Sequence, residues 1–357
     1  MERPEQILRM TPGPTTVPQR VRERMAEPAW NPDVESEFVD FYAALTAKLE
    51  SVYGDGDIAI LGGEGILGLE AATASLVEPG TEVLCIANGL YGEGFADFVD
   101  MYGGEATVCG GDWREPIDIA SVERELETGT YDVATMVHCE TPTGVLNDLE
   151  PVLELLEAHD VLSVVDAVSS LGGTAVSTEL IDVVLGASQK CFSAPPGLTV
   201  CAISDRAWER IERVETRSFY ASLEPWRTVI EDGWFPYTHL SSNLLALDEA
   251  TDLLLEEGLE DVYKRHERVA NRCRQRVDSM GLEVYPSSES LASPTVTALA
   301  VDGQATALQR RIRDEHDIVL ATGLGDLSDD IIRIGHMGYN ARLEWVDRTM
   351  DALEDVL

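Results

Sequence analysis

The sequence predicts an α/β fold: a large domain with a mostly parallel sheet sandwiched by helices, followed by a smaller C-terminal α+β domain. Three observations lead there. Short apolar runs alternate with helical patterns through the first two thirds of the chain. Those runs are apolar throughout rather than at every second residue, as in strands buried on both faces of a parallel sheet. From about residue 245 the alternation gives way to long charged helices. With 357 residues, 44% of them hydrophobic, the chain can bury a large core, and its length suggests about two domains.

The elements follow in order. Residues 1–20 form an N-terminal arm containing the Pro-rich "TPGPTTVPQR" (11–20), and "ESEFVDFYAALTAKLESVYG" (35–54) is amphipathic. The strand runs are "DIAIL" (57–61), "EVLCIA" (82–87), "ATVCG" (106–110), "DVATMVH" (132–138), "VLSVVD" (161–166), "DVVLGAS" (182–188) and "GLTVCAIS" (197–204). Residues 21–257 are therefore expected to form the large domain and 258–357 the small one. The latter holds "SPTVTALAV", "HDIVLATG" and the last helix, "ARLEWVDRTMDALEDVL". In such a sheet, ligands belong at the carboxyl ends of the strands.

The chain has 26 basic and 65 acidic residues, a formal charge of −39. Self-repulsion of this size destabilises a compact state at low salt. At 1 M salt the Debye length shrinks to about 3 Å, so the acid excess points to a protein of a high-salt cytoplasm. Binding to nucleic acid or an anionic membrane is disfavoured for want of a cationic footprint. "MERPEQILRM" lacks a signal-type apolar region, and no apolar run approaches the roughly 18 residues of a membrane span. The six cysteines form no C-x-x-C pair and read as reduced buried thiols, with neither disulfide nor zinc expected.

Only three lysines occur. Lys48 and Lys264 read as solvated helix-face charges. Lys190, in "GASQKCFSAPPGL" (186–198), follows a buried strand and precedes a turn that cannot continue a helix. An apolar setting disfavours its charged form and leaves a nucleophilic amine, the condition for Schiff-base chemistry. Asp166 ends the strand before the lysine's own, so both side chains can reach one crevice. A carboxylate that keeps a pyridine nitrogen protonated, with a lysine beside it, is the pair pyridoxal chemistry requires. Gly63, Gly65 and Gly68 spell G-x-G-x-x-G between a strand and a helix. A dinucleotide site needs an acidic residue at the end of the next strand, yet Glu82 begins that strand and "ANG" follows its end. The expectation is instead a Gly-rich turn whose helix N–H groups could receive an anion or a ring substituent.

"TPGPTTVP", "GLEAATASLVEPG", "ETPTGVLNDLEP", "VVDAVSSLGGT", "GASQKCFSAPPGL", "SPTVTALAV" and "RIGHMGYNARLEWVDR" together resemble the class V aminotransferases of fold type I, in particular the alanine-glyoxylate (serine-pyruvate) enzymes. The resemblance implies a homodimer with shared active sites and pyridoxal 5'-phosphate as cofactor. Its substrates would be a small amino acid of alanine or serine type and a 2-oxo acid such as glyoxylate or pyruvate. It implies that Lys190 carries the Schiff base and shuttles the proton, and that Asp166 holds the ring nitrogen. Val168 and Tyr91 would cover the two ring faces, and Thr141 would bond near the ring hydroxyl. Gln189 and the partner's Thr238 match phosphate-contacting positions, and Arg333 matches the carboxylate-gripping arginine.

The sequence departs from that pattern at the phosphate. Glu64, Gly65 and Ile66 stand where phosphate donors are expected, and Phe235 stands where the partner would offer a tyrosine. A carboxylate about 4 Å from one phosphate charge costs roughly 4 kcal/mol at an effective dielectric of about 20. Either Glu64 pairs elsewhere or the site holds no phosphate. The latter resembles pyridoxamine-pyruvate transaminase, for which unphosphorylated pyridoxamine is a substrate, although Leu324, nine residues before Arg333, matches the alanine-glyoxylate branch. Cysteine desulfurases share the fold, but no cysteine follows Cys273. A non-catalytic binding protein on this scaffold would be expected to lack Lys190 or Asp166. His138 reads as a satisfied core histidine that could touch the site, and His336 as a neighbour able to tune Arg333.

Overall fold

The computed structural model describes residues 7–54 and 56–357; residues 1–6 of the expected arm lie outside the described residues. The arm begins with β1 (Leu8–Arg9) and continues through helix α1 (Gln19–Met25). Helix α2 (Ser36–Tyr53) buries Phe38, Tyr42, Leu45 and Leu49, spaced three to four residues apart on one face.

Strands β2 (Asp57–Gly62), β3 (Glu82–Ala87), β4 (Glu105–Gly110) and β5 (Val133–Val137) follow, then a small hairpin of β6 (Cys139–Glu140) and β7 (Val145–Leu146). Strands β8 (Leu162–Asp166), β9 (Val183–Ala187) and β10 (Leu198–Ile203) complete the larger sheet. Its order is β2-β10-β9-β8-β5-β3-β4. Only β10 runs against its neighbours β2 and β9; the other pairs are parallel. The uniformly apolar runs occupy the middle, where β5, β8, β9 and β10 are buried at every residue. The run at 106–110 behaves differently. As the outermost strand, β4 has no fully buried residue, because nothing pairs with its free edge.

A four-stranded sheet follows in the C-terminal part, made of β11 (Glu283–Val284), β12 (Val296–Ala300), β14 (Ala321–Thr322) and β15 (Ile331–Gly335) in the order β11-β12-β15-β14. The expected "HDIVLATG" strand is thus split, for its first half, β13 (Ile318–Val319), pairs with β1 of the arm instead. Two large apolar cores result, with a small third cluster of Cys139, Cys191, Val296 and Met337. The larger fills the seven-stranded sheet and its helices, and the smaller gathers Val269, Ile312, Ile332 and Met350 around Leu8 and Met10 of the arm. Helices Ser241–Glu257 and Leu259–Ser279 meet at Gly258, whose φ of +85° suits glycine. Lys48 departs from the solvated-face expectation: its ammonium bonds Asp248 at 2.5 Å and Asp252 at 2.7 Å, tying α2 to the helix Ser241–Glu257. All six cysteines are free, five of them buried. Among the described residues, no helix is long and apolar enough to cross a membrane.

Candidate active site

Helix α3 (Gly65–Leu76) and helix α4 (Leu90–Tyr102) start at the carboxyl edge of the larger sheet, where the singled-out residues gather. Asp166 is the last residue of β8 and pairs in register with Val137 and Leu185. Lys190 lies three residues beyond the parallel β9, at the apex of a turn closed by Ser188. That serine's hydroxyl donates to the Pro195 carbonyl at 2.7 Å and accepts the Leu198 N–H at 3.3 Å. Two adjacent parallel strands thereby deliver a carboxylate and an amine to one crevice.

Glu64, Gly65, Ile66, Tyr91, Thr141 and Val168 line this crevice with Asp166 and Lys190, so eight of the twelve predicted site residues come together. Burial pushes the Asp166 carboxyl up to about 6, against the Val168 N–H bond at 2.8 Å and the Lys190 charge. Burial, and then the Arg333 charge, lower the Lys190 pKa. A more basic carboxylate and a more readily neutral amine result. Nζ of Lys190 donates to the Pro12 carbonyl at 2.7 Å, and a Cβ on Gly13 would lie 2.6 Å from Lys190 Cδ. The arm is therefore one wall of the site, a role that "TPGP" as a local motif does not reveal. Ser169 was missed too. It lines the crevice beside Asp166 and shares a short hydrogen bond with the Thr141 hydroxyl.

Arg333 is buried, with Nε donating to the Thr322 carbonyl at 2.7 Å and Nη1 to the Thr141 carbonyl at 3.4 Å. It stands directly beside the crevice. The Gly-rich turn proves to be a packing device: Cβ atoms at Gly65 and Gly68 would press on Val168 at 3.1 Å and on Thr199 at 2.7 Å. Glu64 is the N-cap of α3 and accepts the Ile66 N–H at 3.3 Å. Gln189 donates its Nε2 to Glu64 at 3.2 Å, while its buried Oε1 has no partner among the described residues.

Two predicted residues stand elsewhere in this chain. Phe235, having no polar atom to present, packs in an aromatic cluster with Phe38 and Tyr42, each with ring centroids 5.0 Å away. Thr238 donates to the Asp33 carboxylate at 2.8 Å. His138 is buried against Ser170 at 2.9 Å, and burial lowers its pKa to about 4. His336 bonds Thr297 at 2.7 Å and the Pro294 carbonyl at 3.1 Å, contacts that leave Arg333 aside. A larger cavity of about 630 Å³ lies behind the lysine loop, but its lining includes no lysine. Chemistry, rather than volume, marks the site.

The family model "Aminotransferase class-V" matches residues 66–332. The chain belongs to the class V aminotransferases. It is 34% identical over 340 residues to an uncharacterized aminotransferase of Methanocaldococcus jannaschii, covering 93% of this chain and 88% of that one. Identity to the pyridoxamine–pyruvate transaminase of Mesorhizobium japonicum is 37% over 306 residues, or 82% and 77% of the two chains. The crystal structure of an alanine–glyoxylate aminotransferase from Nostoc sp. superposes with a TM-score of 0.95 at 29% identity, covering 100% of this chain and 96% of that one. The fold is that of the type I enzymes, and the protein is a transaminase.

This family depends on pyridoxal phosphate. The residues present fit its ring, since a buried carboxylate stands one strand from a half-buried amine in a crevice that Tyr91 and Val168 also line. They fit the phosphate less well, for the Ile66 N–H at the start of α3 already donates to the Glu64 carboxylate.

Proposed function

We propose that this transaminase moves an amino group between a small amino acid, of alanine or serine type, and a 2-oxo acid such as glyoxylate or pyruvate. The observation that carries this is that Lys190 and Asp166 line one crevice, with the Arg333 guanidinium bonded to the carbonyl of Thr141, another of its lining residues. Bound there, the pyridoxal ring supplies the electron sink for the carbanion at the substrate Cα. Asp166 keeps the proton on the ring nitrogen. Lys190 would take the proton from the substrate Cα and return it at C4′ of the cofactor, a role suited to an amine whose pKa burial has lowered. The Arg333 guanidinium grips the substrate carboxylate through its paired donors, and Tyr91 and Val168 cover the ring faces.

A second possibility, that unphosphorylated pyridoxamine is itself the amino donor, is favoured by Glu64. Its carboxylate caps α3 and engages Gln189, at the place a phosphate would occupy. We further propose a homodimer, in which Thr238 and the segment around Phe235 face the neighbouring active site, and a high-salt cytoplasm as the protein's setting. The proposed division remains 1–20, 21–257 and 258–357. The test is an absorbance spectrum of the purified protein in high salt. A band near the visible edge that shifts on adding alanine supports resident pyridoxal phosphate; a colourless protein that consumes pyridoxamine and pyruvate supports the second possibility. Absence of both activities refutes the proposal.

A further inference from the structure

Glu140 does not line the crevice, yet it is fully buried at its rim, one residue before Thr141. A carboxylate in such a place needs partners. It finds them in the backbone of α4: Oε1 accepts the Gly92 N–H at 2.7 Å and Oε2 accepts the Tyr91 N–H at 3.3 Å. Helix α4 has Gly89 as its N-cap and therefore no side-chain cap of its own. Glu140 supplies the missing acceptor from the β6–β7 hairpin, placing a negative group at the positive end of the helix.

The local sequence is shaped around this contact. A Cβ on Gly89 would lie 2.3 Å from the Glu140 carboxyl carbon, and one on Gly92 would lie 3.4 Å from Oε1 and 3.0 Å from Ala87. Both glycines are thus required by close approach rather than by backbone conformation. Tyr91, held between them, is the aromatic wall of the crevice.

We infer that Glu140 is a positioning residue for the transamination: by capping α4 from the hairpin it fixes Tyr91 against the ring site. This rests on the proposed role of Tyr91 over the ring. Burial pushes the Glu140 carboxyl up to about 7, and the charged groups facing it, Asp166 and Glu93, act in the same direction, while its two backbone bonds oppose them. A protonated Glu140 has lost part of its acceptor capacity, so the cap weakens on the acid side of neutrality.

The experiment uses the full-length protein, with pyridoxal 5'-phosphate as the titrated probe and amide hydrogen exchange at residues 90–93 as an independent readout. Glu140→Gln, which keeps the volume but sets an amide donor near N–H donors, should speed exchange at Tyr91 and Gly92 about tenfold. It should also weaken probe binding about tenfold. In a Tyr91→Ala background the same substitution should change binding less than twofold, because the residue it acts through is gone. The wild-type affinity should fall as pH drops through about 7, and Glu140→Gln should lack that step. Gly89→Ala, which displaces the carboxylate without altering any charge, should reproduce the exchange result if Glu140→Gln folds poorly. Unchanged exchange at Tyr91 and Gly92, or an equal loss of binding in both backgrounds, overturns the inference. If Tyr91→Ala alone leaves probe binding intact, the proposed ring contact fails instead, and the exchange data still decide the cap.

Discussion

At the residue scale, the two central groups are held in states that cost stability. Replacing Lys190 by alanine should lower amino-group exchange by about 10³-fold or more, since it removes both the carbonyl-capturing amine and the proton carrier. A borohydride-trapped adduct should disappear with it, and persistence of both signals would contradict the assigned role. Asp166 makes a less obvious prediction. Its folded pKa of about 6 lies above the roughly 3.9 of an unfolded aspartate, so the folded protein binds the proton more tightly. Below about pH 4 both states are protonated and nothing is lost. Between about 4 and 6 stability falls as pH rises, and above 6 the full penalty stays, on the order of 3 kcal/mol at about 1.4 kcal/mol per pKa unit. Asp166→Asn should therefore melt higher than wild type at pH 8 when free of ligand, while losing most of its activity. A variant that melts lower at pH 8 would show that the carboxylate contributes more through Val168 than burial takes away.

At the element scale, the start of α3 decides what the site holds. Glu64→Ser keeps a good N-cap while removing the charge proposed to face the cofactor phosphate. Affinity for pyridoxal 5'-phosphate relative to pyridoxal should rise by about 10²-fold, somewhat under the ceiling set by roughly 4 kcal/mol of repulsion at about 4 Å. Competitive titration with the two vitamers measures the ratio, and an unchanged ratio would mean that Glu64 turns aside when the phosphate enters. The same helix shows how far the sequence could be read. The strand–turn–helix was legible because apolar runs and clustered glycines are local signals. That Glu64 would meet Gln189 was not, since that contact joins segments 125 residues apart. For the same reason the alternation of runs revealed the sheet, whereas the reversed direction of β10 and the exposed edge at β4 depend on strand order, which no local pattern encodes. The arm is the clearest such case: "TPGP" is a local motif, but its Pro12 carbonyl meets Lys190 across 178 positions.

At the scale of the whole molecule, salt has two opposing effects whose sizes can be compared. Screening weakens the surface ion pairs, such as those of Arg20 with Glu249 and Glu256, or of Arg276 with Asp351 and Glu354. Each exposed pair is worth only about 0–1 kcal/mol. Screening also relieves repulsion among 65 acidic side chains that only 26 basic ones could balance even if all were paired. With a net charge of −39, the repulsive contacts outnumber the attractive ones, so relief should dominate. The melting temperature is expected to climb steeply between about 0.1 and 1 M KCl, as the Debye length falls from about 10 to about 3 Å, and to flatten beyond. Differential scanning calorimetry across that range, repeated on a variant with about ten exposed acids converted to Gln, separates charge from general salting-out. If repulsion is the cause, the variant's curve starts higher and rises less. Parallel curves for the two proteins would assign the gain to exclusion of salt from apolar surface and would remove the physical basis for placing this transaminase in a high-salt cytoplasm.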